Sequence, residues 1–133
     1  MKKKSFKEIF IKLEKIKIPN KYDLIVAVGN GGIIPALMLK TKISAPLEII
    51  WINFRENITN LAIRHQPKMM SKINFNFAGK RILLVDDVLN TGKTIALAKK
   101  KLAGVKQIDV FVINGEADYN LYKENCFKFP WLN

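Results

Sequence analysis

The sequence predicts an α/β fold, a single mostly parallel sheet with helices packed on both faces. Three observations carry this. Short, largely apolar runs recur at residues 24–28, 47–52, 82–85 and 108–113, and continuous rather than alternating apolar character marks strands covered on both sides. Two of the runs enter a Gly-containing turn and then a helical pattern, Gly29-Asn30-Gly31-Gly32 and Asn90-Thr91-Gly92-Lys93-Thr94. Strand and helix patterns alternate along the chain, which is how parallel sheets are wound.

A chain of 133 residues suffices for one domain with a real core, and no stretch reads as a linker, so residues 1–133 are expected to form one domain. The formal charge is +12, from 23 Lys and Arg against 11 Asp and Glu. That balance favours anionic partners. The lysines are spread along the chain and no Arg cluster alternates with aromatics, so nucleic acid is the weaker expectation and a small phosphorylated substrate the stronger. One cysteine, Cys126, cannot form an internal disulfide, which suits a reducing cytoplasm. No apolar run approaches the length of a membrane span, and the basic start Met1-Lys2-Lys3-Lys4 leads into mixed charge, unlike a signal peptide.

Taken in order, Phe6, Ile9, Phe10, Leu13 and Ile16 recur at helical spacing and predict an amphipathic helix ended by Pro19-Asn20. Residues 23–28 predict a buried strand, and the glycines after it let backbone amides approach a ligand closely. Residues 47–52 predict the next strand. Residues 53–79 show no sustained period and hold Arg55, Arg64, His65, Lys68 and Lys72, so they read as a long functional loop, with a surface excursion holding a short helix or hairpin as the alternative. A lone His without a Cys or carboxylate cluster makes no metal site.

Residues 82–85 then form a buried strand with two adjacent carboxylates, Asp86 and Asp87, at its carboxyl end. Ligands of open α/β sheets bind there. The turn that follows offers backbone N–H groups, the hydroxyls of Thr91 and Thr94, and a helix N-terminus to one phosphate. The carboxylates suit sugar hydroxyls or a divalent cation. Phosphate and hydroxyls side by side describe a ribose 5-phosphate. Gly92-Lys93-Thr94 ends like a P-loop, but that motif needs Gly five residues earlier, where Asp87 stands. A strand and capped helix without a ligand would account for the threonines but not for two consecutive carboxylates. A helix follows to Gly104, then a strand at 108–113, and Tyr119, Leu121 and Tyr122 suggest a short helix. Cys126 is expected to be inert packing.

Val85-Asp86-Asp87-Val88-Leu89-Asn90-Thr91-Gly92-Lys93-Thr94 resembles the phosphoribosyl-diphosphate (PRPP) binding motif of the type I phosphoribosyltransferases. The resemblance implies a five-stranded core over about residues 20–115 and transfer of ribose 5-phosphate from PRPP to a nucleobase, a purine first of all, with diphosphate released and Mg2+ required. Asp86, Asp87 and Asn90 would be the catalytic residues. Leu89, Asn90, Thr91, Gly92, Lys93 and Thr94 would hold the 5-phosphate. Gly29, Asn30, Gly31 and Gly32 match the family's diphosphate loop, which often holds a non-proline cis peptide. Asn114, Phe127 and Trp131 would bind the base, and Asp86 and Asp87 would face the metal through water or PRPP. The loop at 53–79 would close over PRPP as a lid. A homodimer and purine salvage in the cytoplasm complete what the resemblance implies. Three positions depart from the family's habit. Asn30 stands where Arg or Lys is frequent, Asn90 where purine salvage members usually place Asp, and Asn114 where they often place Lys. These departures keep two alternatives open, a PRPP-binding regulator without turnover and a transferase for a non-purine acceptor.

Overall fold

The computed structural model describes residues 2–58 and 63–132, with backbone alone at 54–58 and 63–65. It contains one six-stranded sheet in the order β3-β2-β1-β4-β5-β6. The strands are β1 (Leu24–Gly29), β2 (Leu47–Ile58), β3 (Ile63–Met69), β4 (Arg81–Val88), β5 (Gln107–Asn114) and β6 (Tyr119–Tyr122), and the helices are α1 (Phe6–Lys15), α2 (Ile33–Leu39) and α3 (Lys93–Lys101). Five strands run parallel and β3 pairs antiparallel with β2.

The buried strands show why their pattern reads as continuous. In β1, β4 and β5 one set of alternate residues (Ile25 and Ala27, Leu83 and Val85, Phe111 and Ile113) packs under α1, α2 and the C-terminal tail. The other set (Leu24, Val26 and Val28, Ile82 and Leu84, Val110 and Val112) packs under α3 and the segment holding Ile73, Phe75 and Phe77. Both sides are core, so the runs are almost wholly apolar; Asp109 interrupts that of β5 and accepts the Tyr22 hydroxyl at 2.6 Å. Helix α1 starts at a capping box in which Ser5 Oγ accepts the Glu8 N–H at 3.1 Å and Glu8 Oε1 accepts the Ser5 N–H at 3.2 Å. It buries Ile9 and Leu13.

Three sequence expectations change. Residues 53–79 are not one long loop: β2 continues to Ile58 and returns as β3, with pairing from Ile52–Met69 to Ile58–Ile63. The alternation of Ile52, Phe54 and Ile58 with Asn53, Arg55 and Asn57 is broken at Glu56, His65 and Pro67, so the run reads as irregular, and Pro67 is tolerated because β3 is an edge strand. The lid reading falls partly on residues 59–62, which lie outside the described residues, as do the side chains of Arg55, Arg64 and His65. Residues 119–122 form a strand rather than a helix, because the Asp118 carboxylate accepts the Val110 N–H at 2.8 Å and Tyr122 O accepts the Gly115 N–H at 3.0 Å, which locks the segment alongside β5. Cys126 is exposed, not packed inside.

The tail closes the fold. Lys128 O accepts the Lys4 N–H at 3.1 Å and Lys128 N donates to Lys2 O at 2.8 Å. Phe127 and Phe129 are buried in the core beneath α1.

Candidate active site

Strand β1 is followed in the sheet by β2 on one side and by β4 on the other. The winding reverses between β1 and β4, and a crevice opens beyond their carboxyl ends, the place where ligands of such sheets bind. Both loops singled out in the sequence emerge there. They line one cleft of about 480 Å³, which brings together Gly29, Asn30 and Gly31 with Asp86, Asp87 and every residue from Val88 to Thr94. The extended β2 adds Ile52 and Asn53 to its wall, and the tail adds Leu132.

The glycines of the first loop do different jobs. The Gly29–Asn30 peptide is cis. A Cβ on Gly29 would sit 2.7 Å from the Trp51 ring, and one on Gly31 would sit 2.5 Å from the Asp87 carboxylate. Gly31 therefore lets the loop close onto the acidic pair. Gly32 does not line the cleft. Its Cβ would lie 2.2 Å from the backbone oxygen of Val85, so this glycine allows α2 to press against β4 and contributes to the diphosphate loop only by placing it.

In the second loop Gly92 has φ +79°, a left-handed conformation that side chains rarely adopt. It caps α3 without a side-chain hydrogen bond, so the first amides of the helix face the cleft unpaired by a cap. Thr91 Oγ1 accepts the Lys93 N–H only at 3.4 Å. Leu89 is held from behind, with its N–H on Asn114 O at 3.0 Å and its carbonyl 2.7 Å from where a Gly115 Cβ would be. Beside the two carboxylates, the charged residue lining the cleft among the described residues is Lys93.

Asp86 and Asp87 are the last buried residues of β4, at 9 % and 7 % exposure. Asp86 Oδ1 accepts the Asp87 N–H at 2.8 Å. Burial and the neighbouring carboxylate push the Asp86 carboxyl up to about 8. Burial also raises Asp87, against the pull of hydrogen bonding from Asp86 and from the Val88 backbone. Burial beside one another therefore favours retention of a proton by the pair in the ligand-free protein. Among the described residues no group of three or more His, Cys, Asp or Glu side chains converges as a metal cage.

A second cavity of about 250 Å³ adjoins the first and shares Asp87, Val88, Asn90 and Leu132 with it. Its other walls are Asn114, Cys126, Phe127, Lys128 and Phe129. Of the residues expected at the base, Phe127 is present but buried edge-on between Tyr122 and Phe129. Asn114 is present with its amide already engaged, donating to Glu124 O at 3.0 Å and accepting the Glu124 N–H at 3.1 Å. Trp131 lines neither cavity. It stacks on Phe129 with ring centres 5.0 Å apart and planes 12° apart. Sequence reasoning missed Leu132, Phe129 and Cys126, because only the return of the tail toward the N-terminus brings them here.

The phosphoribosyl transferase domain family matches residues 3–128. The chain belongs to that family. It is 30% identical over 105 residues to a hypoxanthine-guanine phosphoribosyltransferase of Schizosaccharomyces pombe, covering 67% of this chain and 51% of that protein. It is 31% identical over 94 residues to an orotate phosphoribosyltransferase of Saccharolobus solfataricus, covering 69% of this chain and 43% of that one. The chain thus spans about half the length of these two curated relatives. Among solved structures, a purine phosphoribosyltransferase from Pyrococcus horikoshii superposes with a TM-score of 0.77 at 26% identity, covering 98% of this chain and 93% of that one. The cis Gly29–Asn30 peptide is what the sequence resemblance implied for the first loop, and the sheet has six strands where the resemblance implied a five-stranded core.

Proposed function

We propose that the protein transfers the ribose 5-phosphate of PRPP to a nucleobase, a purine first of all, with release of diphosphate. The observation that carries this reading is the meeting of two cavities at Asp87 and Asn90, one bearing the acidic pair and the phosphate turn, the other walled by aromatics. The amides of residues 89–94 and the Thr91 and Thr94 hydroxyls would hold the 5-phosphate. The amides at Gly29, Asn30 and Gly31 would face the diphosphate. Asp86 and Asp87 would accept the ribose hydroxyls. The base would enter the second cavity, between Asn90 and the tail aromatics.

In the reaction a base nitrogen forms the bond to ribose C1 as the C1–O bond to diphosphate breaks, and charge develops on the ribosyl ring. Catalysis by this chain is then mostly positioning and electrostatics. Asp87, ionised beside the ring, would stabilise that charge. The Asn90 amide takes up no proton at neutral pH, so the proton of the base leaves to water.

Two adjacent carboxylates without a third ligand suit a magnesium ion that arrives on diphosphate and is held through water, rather than a resident metal. Bound there, magnesium would supply charge neutralisation for the leaving diphosphate, a need made larger by Asn30 in place of a cation. A homodimer is part of the proposal, supported by the exposure of Leu37 and Trp51 on the α2 side of the sheet. A cytoplasmic setting is supported by the exposed, unpaired Cys126. Among the described residues no helix is long and apolar enough to cross a membrane.

The test is diphosphate release from PRPP and Mg2+ with hypoxanthine, guanine, adenine, uracil and orotate in turn. Turnover with a purine supports the reading, and turnover with a pyrimidine alone moves the acceptor. PRPP binding without release for any base favours the regulator, a reading that Asn90 and the engaged amide of Asn114 keep open.

A further inference from the structure

The segment from Lys123 to Phe127 joins β6 to the tail without regular secondary structure, yet Cys126 and Phe127 from it wall the second cavity. Irregular chain keeps one shape only where neighbours tie it down. One tie comes from inside the site. The Asn114 side chain takes both backbone groups of Glu124, with Nδ2 donating to Glu124 O at 3.0 Å and Oδ1 accepting the Glu124 N–H at 3.1 Å.

The other tie comes from the amino-terminal end of the chain. Lys4 Nζ meets Glu124 Oε1 at 2.9 Å. The same ammonium lies 4.4 Å from the centre of the Tyr122 ring and 4.9 Å from that of Phe127. The backbone N–H of Lys4 donates to Lys128 O at 3.1 Å. Lys4 thus grips Glu124, Phe127 and Lys128, and the last two wall the cavity. Its side chain is only 14 % exposed. An ion pair sheltered between two ring faces is worth more than one in open solvent, such as Lys123 with Glu116. The next residue, Ser5, is the N-cap of α1 and is fixed by its capping box with Glu8, so Lys4 is anchored in turn. Lys4 itself lines neither cavity.

Resting on the phosphoribosyl transfer proposed above, we propose that Lys4 is a positioning residue for the acceptor base. Its ammonium and its backbone N–H clamp residues 124–128 as the outer wall of the second cavity, so a residue that meets no ligand sets how tightly the base is held. The PRPP cleft takes its two loops from the ends of β1 and β4, so the clamp bears on the acceptor and not on the donor. Without the ammonium the wall must be ordered at the moment the base binds, and that cost falls on base affinity.

Lys4→Met keeps the aliphatic stem over the rings and removes the charge. It is expected to raise KM about tenfold for whichever of the five bases turns over, while KM for PRPP and kcat at saturation stay at their wild-type values. Lys4→Arg is expected to restore the base KM. Glu124→Gln is expected to raise the base KM as well and to add little to Lys4→Met in the double variant, since both act through one pair. Amide hydrogen exchange of the full chain gives a readout independent of turnover: the N–H of residue 124 should exchange about tenfold faster in Lys4→Met, with the amides of β4 and β5 at the wild-type rate. An unchanged base KM overturns the inference, and so does an equal rise in both KM values, which marks a general loss of structure. An unchanged exchange rate at residue 124 overturns it as well. A wild-type chain that releases no diphosphate with any base overturns the reading of the function itself, and the exchange rate still decides the clamp. Where Lys4→Met folds poorly, Glu124→Gln carries both measurements.

Discussion

Asp86→Asn should make the ligand-free protein more stable and deprive it of its ligand. Asparagine is isosteric with the protonated acid, and its carbonyl can accept the Asp87 N–H that Asp86 Oδ1 now accepts at 2.8 Å. The Asp86 carboxyl titrates near 3.8 when unperturbed and is pushed up to about 8 by burial beside Asp87. The folded state therefore binds its proton more tightly than the unfolded state does. The contribution of Asp86 is fully favourable below the unfolded value and is lost as pH rises toward the folded one. For one proton the loss runs at about 1.4 kcal/mol per pH unit. Between about pH 5.5 and pH 7.5 the advantage of Asp86→Asn over the wild type should thus grow by roughly 2–3 kcal/mol. Urea unfolding across this range measures it, with the slope on urea unchanged. PRPP and magnesium should narrow the gap, since ligand at a hundred times its dissociation constant adds about 2.7 kcal/mol to whichever protein binds it. Parallel stability curves for the two proteins from pH 5.5 to 7.5 would refute the assignment of a retained proton to Asp86, and equal PRPP affinity would refute its place in the site.

Further expectations separate the loops. Gly31→Ala drives a Cβ to 2.5 Å from the Asp87 carboxylate and should weaken PRPP binding in calorimetry, whereas Gly32→Ala meets the Val85 backbone oxygen at 2.2 Å and should cost stability instead, about 1–3 kcal/mol or more in urea. Asn90→Asp should raise purine turnover about a hundredfold at saturating PRPP and add a carboxylate limb to its pH profile, while a rise in the Michaelis constant for PRPP alone would mean repulsion of the diphosphate. Backbone amides of β2 and β3 should gain hydrogen-exchange protection on addition of PRPP and magnesium, because Ile52 and Asn53 line the cleft. Equal exchange with and without ligand would leave the hairpin a wall and not a lid.

The legible parts of this molecule are those where local chemistry and tertiary role coincide. Strands covered on both faces are largely apolar, so β1, β4 and β5 stand out, and the carboxyl ends of β1 and β4 are marked by glycines and by a pair of carboxylates. The β2–β3 hairpin was hidden because its apolar alternation is broken at Glu56, His65 and Pro67. Strand β6 was hidden because Tyr119, Leu121 and Tyr122 fit a helix as well as a strand, and the Asp118 and Gly115 bonds that decide between them are set by β5 and the tail. Asn114 is a polar group whose partner, Glu124, lies 10 residues away, and sequence spacing says nothing of such a partner. The capping box at Ser5 and Glu8, by contrast, is written in consecutive residues.

The alternation along β4 has a consequence for how such a protein can change. Asp86 continues the row of Ile82 and Leu84 toward α3, and Asp87 continues the row of Leu83 and Val85 toward the tail. The sheet therefore works as a partition wall with one carboxylate emerging from each side. Substitutions in the layer beneath the tail can remodel the smaller chamber and leave the helix that faces the larger one undisturbed. In the proposed function the phosphate turn would belong to the α3 layer, while the first loop and the smaller chamber would share the layer of α2 and the tail, so changes in the acceptor chamber would reach the diphosphate loop before the phosphate turn.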